Sequence, residues 1–244
     1  HRMRHDEHLF YRPGWVFTDL FFVSGRHREQ LFSVIHAQRL AADLYFNVNY
    51  RIVNSVGLYT RMGARNSNVS LSLDYTHPGR RYTALAAMQI NNINNQESGG
   101  LLNPVFFEEN PERDSVYLYQ ATARFRETAF TADQFLDLSL GEHISLGRLH
   151  HRIHLRQEAR VLNDRAAPWP WYDYESPNAF STYDSARVEV MENRLAWTSR
   201  GTVSGAERSF PLAMELGATH RYVRLQFPLF FTEQAAAQSG SFFT

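Results

Sequence analysis

The feature that most constrains the fold is a strict alternation of polar and apolar residues from Asn68 to Tyr75. Because successive side chains of a β-strand point to opposite faces, this segment is predicted to be a strand with one polar and one apolar face. The alternation resumes after the turn at 77–80 and runs from Tyr82 to Asn91, which predicts an antiparallel hairpin. A face rich in Ser, Asn, Gln and Asp is typical of the lumen of an outer-membrane barrel, although a soluble sandwich alternates similarly.

Strand-like segments recur along the rest of the chain, and no convincing amphipathic helix interrupts them. Residues 44–52 alternate cleanly, and residues 117–126 alternate in a way that places Arg124 and Arg126 on a polar face. A further strand pair is expected over about 135–161. The sequence therefore predicts an all-β chain.

The connections between these segments are of two kinds. Long polar inserts occur at 91–115 and 162–186, whereas tight turns such as 77–80 join other segments. Outer-membrane barrels have this asymmetry, with short turns at one end and long loops at the other. The order of long and short connections breaks near Gly141 and Glu142, so the strand number stays open.

Composition excludes several functional classes. The formal net charge of the 244 residues is zero, which argues against nucleic acid as a partner because its binders usually carry surplus basic charge. The 25 Lys and Arg residues are all arginine, and the sequence has no Cys for disulfides or Cys-based zinc sites. No apolar run is long enough for a membrane helix, and residues 1–8 have no signal-peptide character. We therefore expect a processed chain or an internal piece of a longer protein.

Two tyrosines flank the predicted turn at 77–80. Tyr75 and Tyr82 both belong to the apolar faces of their strands. Aromatic residues in this position are typical of the interfacial girdle of a membrane barrel. Tyrosine is also common in strands of any kind, so both interpretations stay open.

Six short motifs follow one another along the chain. They are GRHREQLF at 25–32, HAQR at 36–39, NYRIVNSVGLY at 49–59, RNSN at 65–68, NQESGGL at 95–101 and ENRLAWT at 192–198. This collinear series resembles the putative porin family of Bacteroidetes-type outer membranes. The resemblance implies an outer-membrane β-barrel with a channel role, no catalytic residues, and a full length above the 244 residues of this chain. The chain departs from the usual terminal aromatic residue of bacterial barrels at 241–244, which we interpret as truncation.

Basic residues are predicted to gather on one side of the strands. Strand periodicity puts four of them on a single face, as a basic ladder at 150–156. Arginine-rich walls bias a pore toward anionic solutes. Alternatively, each arginine pairs with a nearby carboxylate such as Glu158 or Asp137 and only stabilises the wall. The candidate pore-lining residues are Arg51, Arg124, Arg126, His150, Arg152, His154 and Arg156.

Metal and catalytic chemistry have little support. His150 and His154 are about 13 Å apart on a strand, too far to share an ion by themselves. The segment at 1–8, with His1, His5 and His8, is more plausible as a metal site but equally fits an incidental loop. Signatures of nucleophiles, phosphate loops and dinucleotide sites are absent from the sequence. We therefore expect no metal, no cofactor and no enzymatic activity.

An aromatic cluster lies within the insert at 162–186. Trp169, Trp171 and Tyr174 are candidates for contact with a sugar or a partner protein, because exposed rings stack and anchor well. The alternative is that this loop folds its rings into the barrel mouth or the membrane interface.

These patterns lead to one expected architecture and function. We expect an antiparallel transmembrane β-barrel, or a portion of one, over 15–244, preceded by an N-terminal segment at 1–14. The expected function is passive diffusion of small hydrophilic solutes across a bacterial outer membrane whose lipid surrounds the barrel, with a preference for anions left open. Two alternatives are a carbohydrate-binding β-sandwich and a plugged barrel that acts as a scaffold for envelope protein partners.

Overall fold

The protein is an all-β chain whose strands form a single antiparallel sheet. The computed structural model describes residues 9–26, 29–57, 60–79, 81–102, 115–140, 144–165, 182–204, 209–227 and 238–243. The strands are β1 (Phe17–Ser24), β2 (Gln30–Ala41), β3 (Leu44–Ser55), β4 (Ala64–Thr76), β5 (Tyr82–Gln96), β6 (Thr122–Leu140), β7 (Ile144–Asp164), β8 (Thr182–Ser204), β9 (Ser209–Gln226) and β10 (Gln238–Phe243). None of the residues described forms a helix of the length and apolarity that crossing a membrane requires.

The strands follow one another in the sheet in the order of the chain. Each strand from β2 to β9 pairs with the strand before it and the strand after it. Among the described residues, β1 and β10 each pair with one neighbour, so the sheet is open. A meander of this kind is the topology of an up-and-down barrel, and an open sheet is what a portion of such a barrel presents. The predicted fold class is confirmed.

The connections differ in length between the two ends of the sheet. At one end the strands are joined by residues 42–43, 77–81, 141–143 and 205–208. At the other end they are joined by residues 25–29, 56–63, 97–121, 165–181 and 227–237. We call these the short-turn end and the long-loop end. Outer-membrane barrels place their short turns toward the periplasm and their long loops outside the cell.

The apparent break in this order near Gly141 does not exist. The sequence pattern suggested a strand at 117–126 and a separate pair at 135–161, whereas β6 is one strand of 19 residues from Thr122 to Leu140. Residues 141–143 therefore join β6 to β7 at the short-turn end. The alternation blurs within β6 because Ala, Thr and Phe occupy both of its faces.

The predicted hairpin is present, with β4 and β5 in unbroken register over thirteen residue pairs from Ala64↔Asn95 to Thr76↔Thr83. The rings of Tyr75 and Tyr82 lie beside the turn with centroids 6.5 Å apart. An interfacial aromatic girdle would place aromatic rings at this end of the strands, and this role of the two tyrosines stays a prediction.

The polar face of the sheet is buried and its apolar face is exposed, which is the reverse of the arrangement in a soluble protein. Ser70 and Asp74 of β4 are 0% and 2% exposed, whereas Leu71 and Leu73 are 38% and 43% exposed. Burial of small polar side chains together with exposure of large apolar ones indicates that the sheet curves around its polar side. We call the side of Ser70 the inner face and the side of Leu71 the outer face.

The outer face has a continuous apolar band. One row of directly paired residues crosses seven strands without a charged side chain. Its members are Val48, Leu71, Met88, Phe130, Leu155, Met191 and Tyr222. On β5 the band extends over five outward positions from Tyr82 to Ile90, about 27 Å along the strand. A tilted strand of this length matches the apolar band of about 25 Å that membrane barrels present to lipid.

Candidate pore-lining face

The inner face is polar across most of its strands. Each of its deeply buried polar residues is at most 8% exposed. A soluble two-layer fold would have to desolvate these groups in an apolar core, which costs free energy unless every group is paired. The set comprises Asn47, Asn68, Ser70, Ser72, Asp74, Gln89, Asn91, Glu127, His154, Glu158 and Asp164.

The predicted basic ladder lies on this inner face. The pairing register places His150, Arg152, His154 and Arg156 of β7 opposite Phe135, Asp133, Thr131 and Ala129 of β6. The same face continues on β3, where Arg51 pairs in register with Asn68 of β4. Five of the seven candidate pore-lining residues therefore share one side of the sheet.

Two of the candidates were placed on the wrong face. Arg124 and Arg126 are exposed on the outer face, in the same alternation as Phe130. The prediction assumed that the polar positions of a strand face the lumen. Near a strand end, however, the outer face also leaves the hydrocarbon and becomes polar, so polarity there does not identify the face.

Asp133 neutralises part of the ladder. Its Oδ1 atom lies 2.6 Å from His150 Nε2 and 2.7 Å from Arg152 Nε, and its Oδ2 atom accepts a second bond from Arg152 Nη2 at 3.2 Å. A bidentate arginine–carboxylate pair of this kind is strong and geometrically specific. The alternative of local charge pairing is therefore correct for Arg152, although its partner is Asp133 rather than Glu158 or Asp137.

Glu158 and Asp137, the carboxylates suggested as partners of the ladder, pair with other arginines. Arg160 donates to Glu158 Oε1 at 2.8 Å through Nε, and Arg148 donates to Asp137 Oδ1 at 2.6 Å. Both pairs lie on the inner face of β6 and β7. Ion pairs between neighbouring side chains therefore neutralise much of the charge on this wall.

An amide and carboxylate track crosses the inner face at right angles to the strands. Asn68 Nδ2 donates to Asn91 Oδ1 at 2.6 Å, and Asn91 Nδ2 donates to Glu127 Oε2 at 2.8 Å. Glu127 stands directly opposite Glu158 in the register of β6 and β7. Four residues from four strands thus form one polar row in the wall.

Arg156 differs from Arg152 in its surroundings. Within the part of the chain that the structure describes, its buried Nε atom has no hydrogen-bond partner. Its register partner on β6 is Ala129 rather than a carboxylate. Arg156 is therefore the ladder arginine whose charge is least compensated by a direct contact.

The segment before β1 reaches the inner face at the short-turn end. Arg12 Nη2 donates to Asp74 Oδ1 at 2.7 Å and to Thr76 Oγ1 at 3.1 Å. The hydrogen bond to Asp74, a residue that is 2% exposed, raises the pKa of the Arg12 guanidinium above its ordinary value. This contact fixes the segment against β4, and no feature of the sequence had indicated it.

Several candidate residues lie outside the described residues. These are Trp169, Trp171 and Tyr174 of the loop aromatic cluster, and His1, His5 and His8 of the first segment. Across the described ranges, no group of three or more His, Asp or Glu side chains could hold a metal ion.

Sequence reasoning also missed the residues that organise the wall. Asp133 and Glu127 lie in the blurred alternation of β6, so their face could not be assigned before the register was known. Asn91 was assigned to the correct polar face, but the amide track depends on which strands are neighbours. The clean alternation of β4 identifies its polar face in the sequence. Once the pairing register is known, it assigns the residues of the neighbouring strands to the same face.

Comparison with protein families matches most of the chain. A family model described as "Putative porin" covers residues 2–233 of this chain. A comparison with curated proteins finds no match.

Proposed function

This chain belongs to the putative porin family, and from that premise we propose that it forms the wall of an outer-membrane channel for passive diffusion of small hydrophilic solutes. The observation that carries the proposal is the inverted burial of the sheet, with polar side chains inside and apolar side chains outside. A barrel wall with lipid on one side and water on the other requires this arrangement.

A polar inner face suits an aqueous path on that side of the sheet. Asn68, Asn91, Ser70 and Ser72 are at most 2% exposed and make the wall itself polar, whereas the ladder residue Arg152 is 38% exposed and reaches the water side. The competing soluble β-sandwich fits poorly, because its core would have to contain these groups while Leu71 and Leu73 faced water.

The channel is expected to have a modest preference for anions. Pairing of Arg152, Arg148 and Arg160 with carboxylates leaves the inner wall much less basic than uncompensated arginines would make it. Arg51 and Arg156 have no ion pair to a carboxylate within the described residues. We assign the anion preference to these two side chains.

Conductance in a planar lipid bilayer tests the channel directly. The purified chain, folded in detergent and added to the bilayer, is expected to give discrete ion-conducting steps. Heat-modifiable migration on a gel serves as the control that the added protein is a folded barrel. Folded protein without conductance would contradict the channel.

Arg156→Gln tests the assignment of anion preference. Because this substitution removes an uncompensated positive charge from the inner face, the reversal potential in a salt gradient is expected to move toward cation selectivity. Arg126→Gln is the matched control, since Arg126 lies on the outer face of β6 and should leave the reversal potential unchanged. Equal responses from the two variants would refute the assignment.

A plugged barrel is the second candidate, and one contact favours it. Arg12 anchors the segment before β1 to Asp74 on the inner face, where that segment can narrow the path at the short-turn end. Arg12→Gln removes both bonds to Asp74. A several-fold rise in conductance, compared with Arg39→Gln as a control, would support the plug, and an unchanged conductance would argue against it.

A further inference from the structure

The outer face has its own basic cluster at the long-loop end. Arg65 lies near the start of β4, and Arg124 and Arg126 lie near the start of β6, all with exposed side chains. In the register, Arg65 pairs with Asn94 of β5, and Asn94 pairs with Arg124. The three arginines therefore face the same side of three adjacent strands, and we call them the outer arginine cluster.

The spacing of the cluster suits a single multivalent anion. Arg124 and Arg126 are two residues apart on one strand, about 7 Å between their Cα atoms. Arg65 and Arg124 are separated by one intervening strand, about 10 Å. Long guanidinium side chains from these positions can converge on one phosphate group, which they bind through planar, paired N–H donors.

Amide groups surround the cluster and no carboxylate does so among the described residues. Arg126 Nε donates to Asn92 Oδ1 at 3.0 Å, which holds its guanidinium over β5. A surface groove of about 380 Å³ lies beside Arg65 and Arg124, and its lining contains amides of Asn54 and Asn94 but no Asp or Glu. The site therefore offers donors and positive charge without internal neutralisation.

Another outward arginine group shows the contrast. On β8 and β9, Arg187 and Arg224 lie 3.1 Å and 3.9 Å from the carboxylate of Glu189. These two arginines share one carboxylate of their own wall, which compensates part of their charge. The outer arginine cluster has no such acid, so its charge is available for an external partner.

The depth of the cluster points to lipid. The row that contains Asn92 and Arg126 comes directly after the row of Val69, Ile90 and Thr128 at the edge of the apolar band. Arginines just beyond the hydrocarbon lie at the level of lipid headgroups. A ligand there can place acyl chains on the apolar band and its anionic group on the arginines.

We propose that Arg65, Arg124 and Arg126 bind the phosphate of an anionic lipid headgroup in the leaflet at the long-loop end. The proposal rests on the proposed function in one respect, namely that lipid covers the outer face. A phosphomonoester headgroup fits best, because its oxygens can accept from several guanidinium groups at once. Continuity with the apolar band favours a lipid over free phosphate.

Native mass spectrometry of the full chain in detergent micelles tests this site. The probe is phosphatidic acid, compared with diacylglycerol of the same acyl chains, which lacks the phosphate. The triple variant Arg65→Gln, Arg124→Gln, Arg126→Gln is expected to bind phosphatidic acid at least about tenfold more weakly than the unmodified chain. Arg224→Gln is the matched control and should change the affinity less than about twofold, because Arg224 lies on β9, three strands away from Arg126, and next to Glu189.

Several outcomes of this measurement would contradict the proposed lipid site. Unchanged binding by the triple variant, equal loss in Arg224→Gln, or equal binding of diacylglycerol would overturn the proposed lipid site. Displacement of the lipid by millimolar inorganic phosphate would show that the cluster recognises the free ion instead. Should the triple variant lose heat-modifiable migration, Arg124→Gln alone is the second variant, with an expected loss of about threefold.

Failure of this proposal can be told apart from failure of the channel. The lipid measurement does not depend on conduction, and the outer arginine cluster lies on the face opposite to the candidate pore lining. Intact phosphatidic acid binding without bilayer conductance would contradict only the channel. Intact conductance with unaltered binding in the triple variant would contradict only the lipid site.

Discussion

At the scale of single residues, the charge of the inner wall depends on ion pairs between side chains that the strand register places next to each other. His150 and Arg152 converge on one carboxylate, that of Asp133, which is 13% exposed. Removal of this carboxylate leaves two donors, His150 and Arg152, at 20% and 38% exposed, without their shared acceptor, and this costs more than the loss of a single, more exposed pair. Asp133 is therefore the residue whose loss should affect both the stability and the selectivity of the wall.

We expect Asp133→Asn to lower the free energy of unfolding by about 1–3 kcal/mol and to move the reversal potential toward anions. Stability falls because Arg152 loses its carboxylate partner. The reversal potential moves because the positive charge of Arg152 is no longer neutralised. Asp137→Asn is the control, because Asp137 pairs with Arg148 where both side chains are at least 42% exposed. Urea titration of folded protein in micelles measures stability. Equal losses in the two variants would contradict the role given to Asp133.

Residue types alone could not reveal these pairs. The sequence identified the ladder at 150–156 because one strand carries all of it, with clean alternation. It could not identify Asp133 as the partner, since that requires knowing that β6 and β7 pair with Asp133 opposite Arg152. It misplaced Arg124 and Arg126 because a polar side chain beyond the apolar band has no preferred face.

At the scale of elements, β7 contains a backbone position that only glycine occupies without strain. Gly147 has φ of +106°, and a Cβ atom there would overlap the carbonyl oxygen of Thr198 on β8. The position lies beside the register shift between Leu138 and Ser139 of β6. An irregularity of this kind bends a strand and increases its twist.

Gly147→Ala is expected to destabilise the fold by at least about 1–3 kcal/mol, because the new side chain meets backbone atoms and a disfavoured φ together. Gly14→Ala provides the control, since a Cβ atom at Gly14 has nothing within 4 Å. The urea midpoint of refolded protein gives the comparison. A neutral Gly147→Ala would show that the strand can relax at this point.

The two faces of the hairpin give a second test at this scale. We expect Leu71→Arg, on the outer face of β4, to cost about 2–4 kcal/mol of stability in lipid, because an arginine there would lie in the hydrocarbon. Gln89→Arg, on the inner face of β5, should cost much less, since its guanidinium would face the polar side. The free energy of folding into liposomes measures both. A smaller cost for Leu71→Arg than for Gln89→Arg would contradict the assignment of faces.

Elements with clean alternation were predictable, and those without it were not. The hairpin of β4 and β5 was predicted with its turn because Ser, Asn and Leu alternate strictly in β4. In β6 the small residues Ala and Thr fit either face, so the strand was divided wrongly and the turn at 141–143 appeared out of order. A weak binary pattern cannot set strand bounds, whereas hydrogen bonding to two neighbours does.

At the scale of the whole molecule, the open meander has three distinct regions. The inner face is polar, the outer face carries an apolar band, and the outer arginine cluster lies between that band and the long loops. Among the ten strands described, the connections at the short-turn end have at most five residues, and those at the other end have more, except for 25–29, which also has five. Together with membership of the putative porin family, this arrangement is that of a membrane barrel wall.

The central claim is that lipid covers the outer face and water the inner face, and spin labelling along β4 tests it most directly. The sequence contains no cysteine, so a single cysteine introduced at each position from Val69 to Asp74 can carry a nitroxide label without interference. In liposomes, labels at Leu71 and Leu73 should be relaxed by oxygen, which partitions into lipid, and labels at Ser70 and Ser72 by a water-soluble nickel complex. The account predicts opposite periodicities of two residues for the two relaxing agents. Equal accessibility at neighbouring positions, or the reverse assignment, would contradict it.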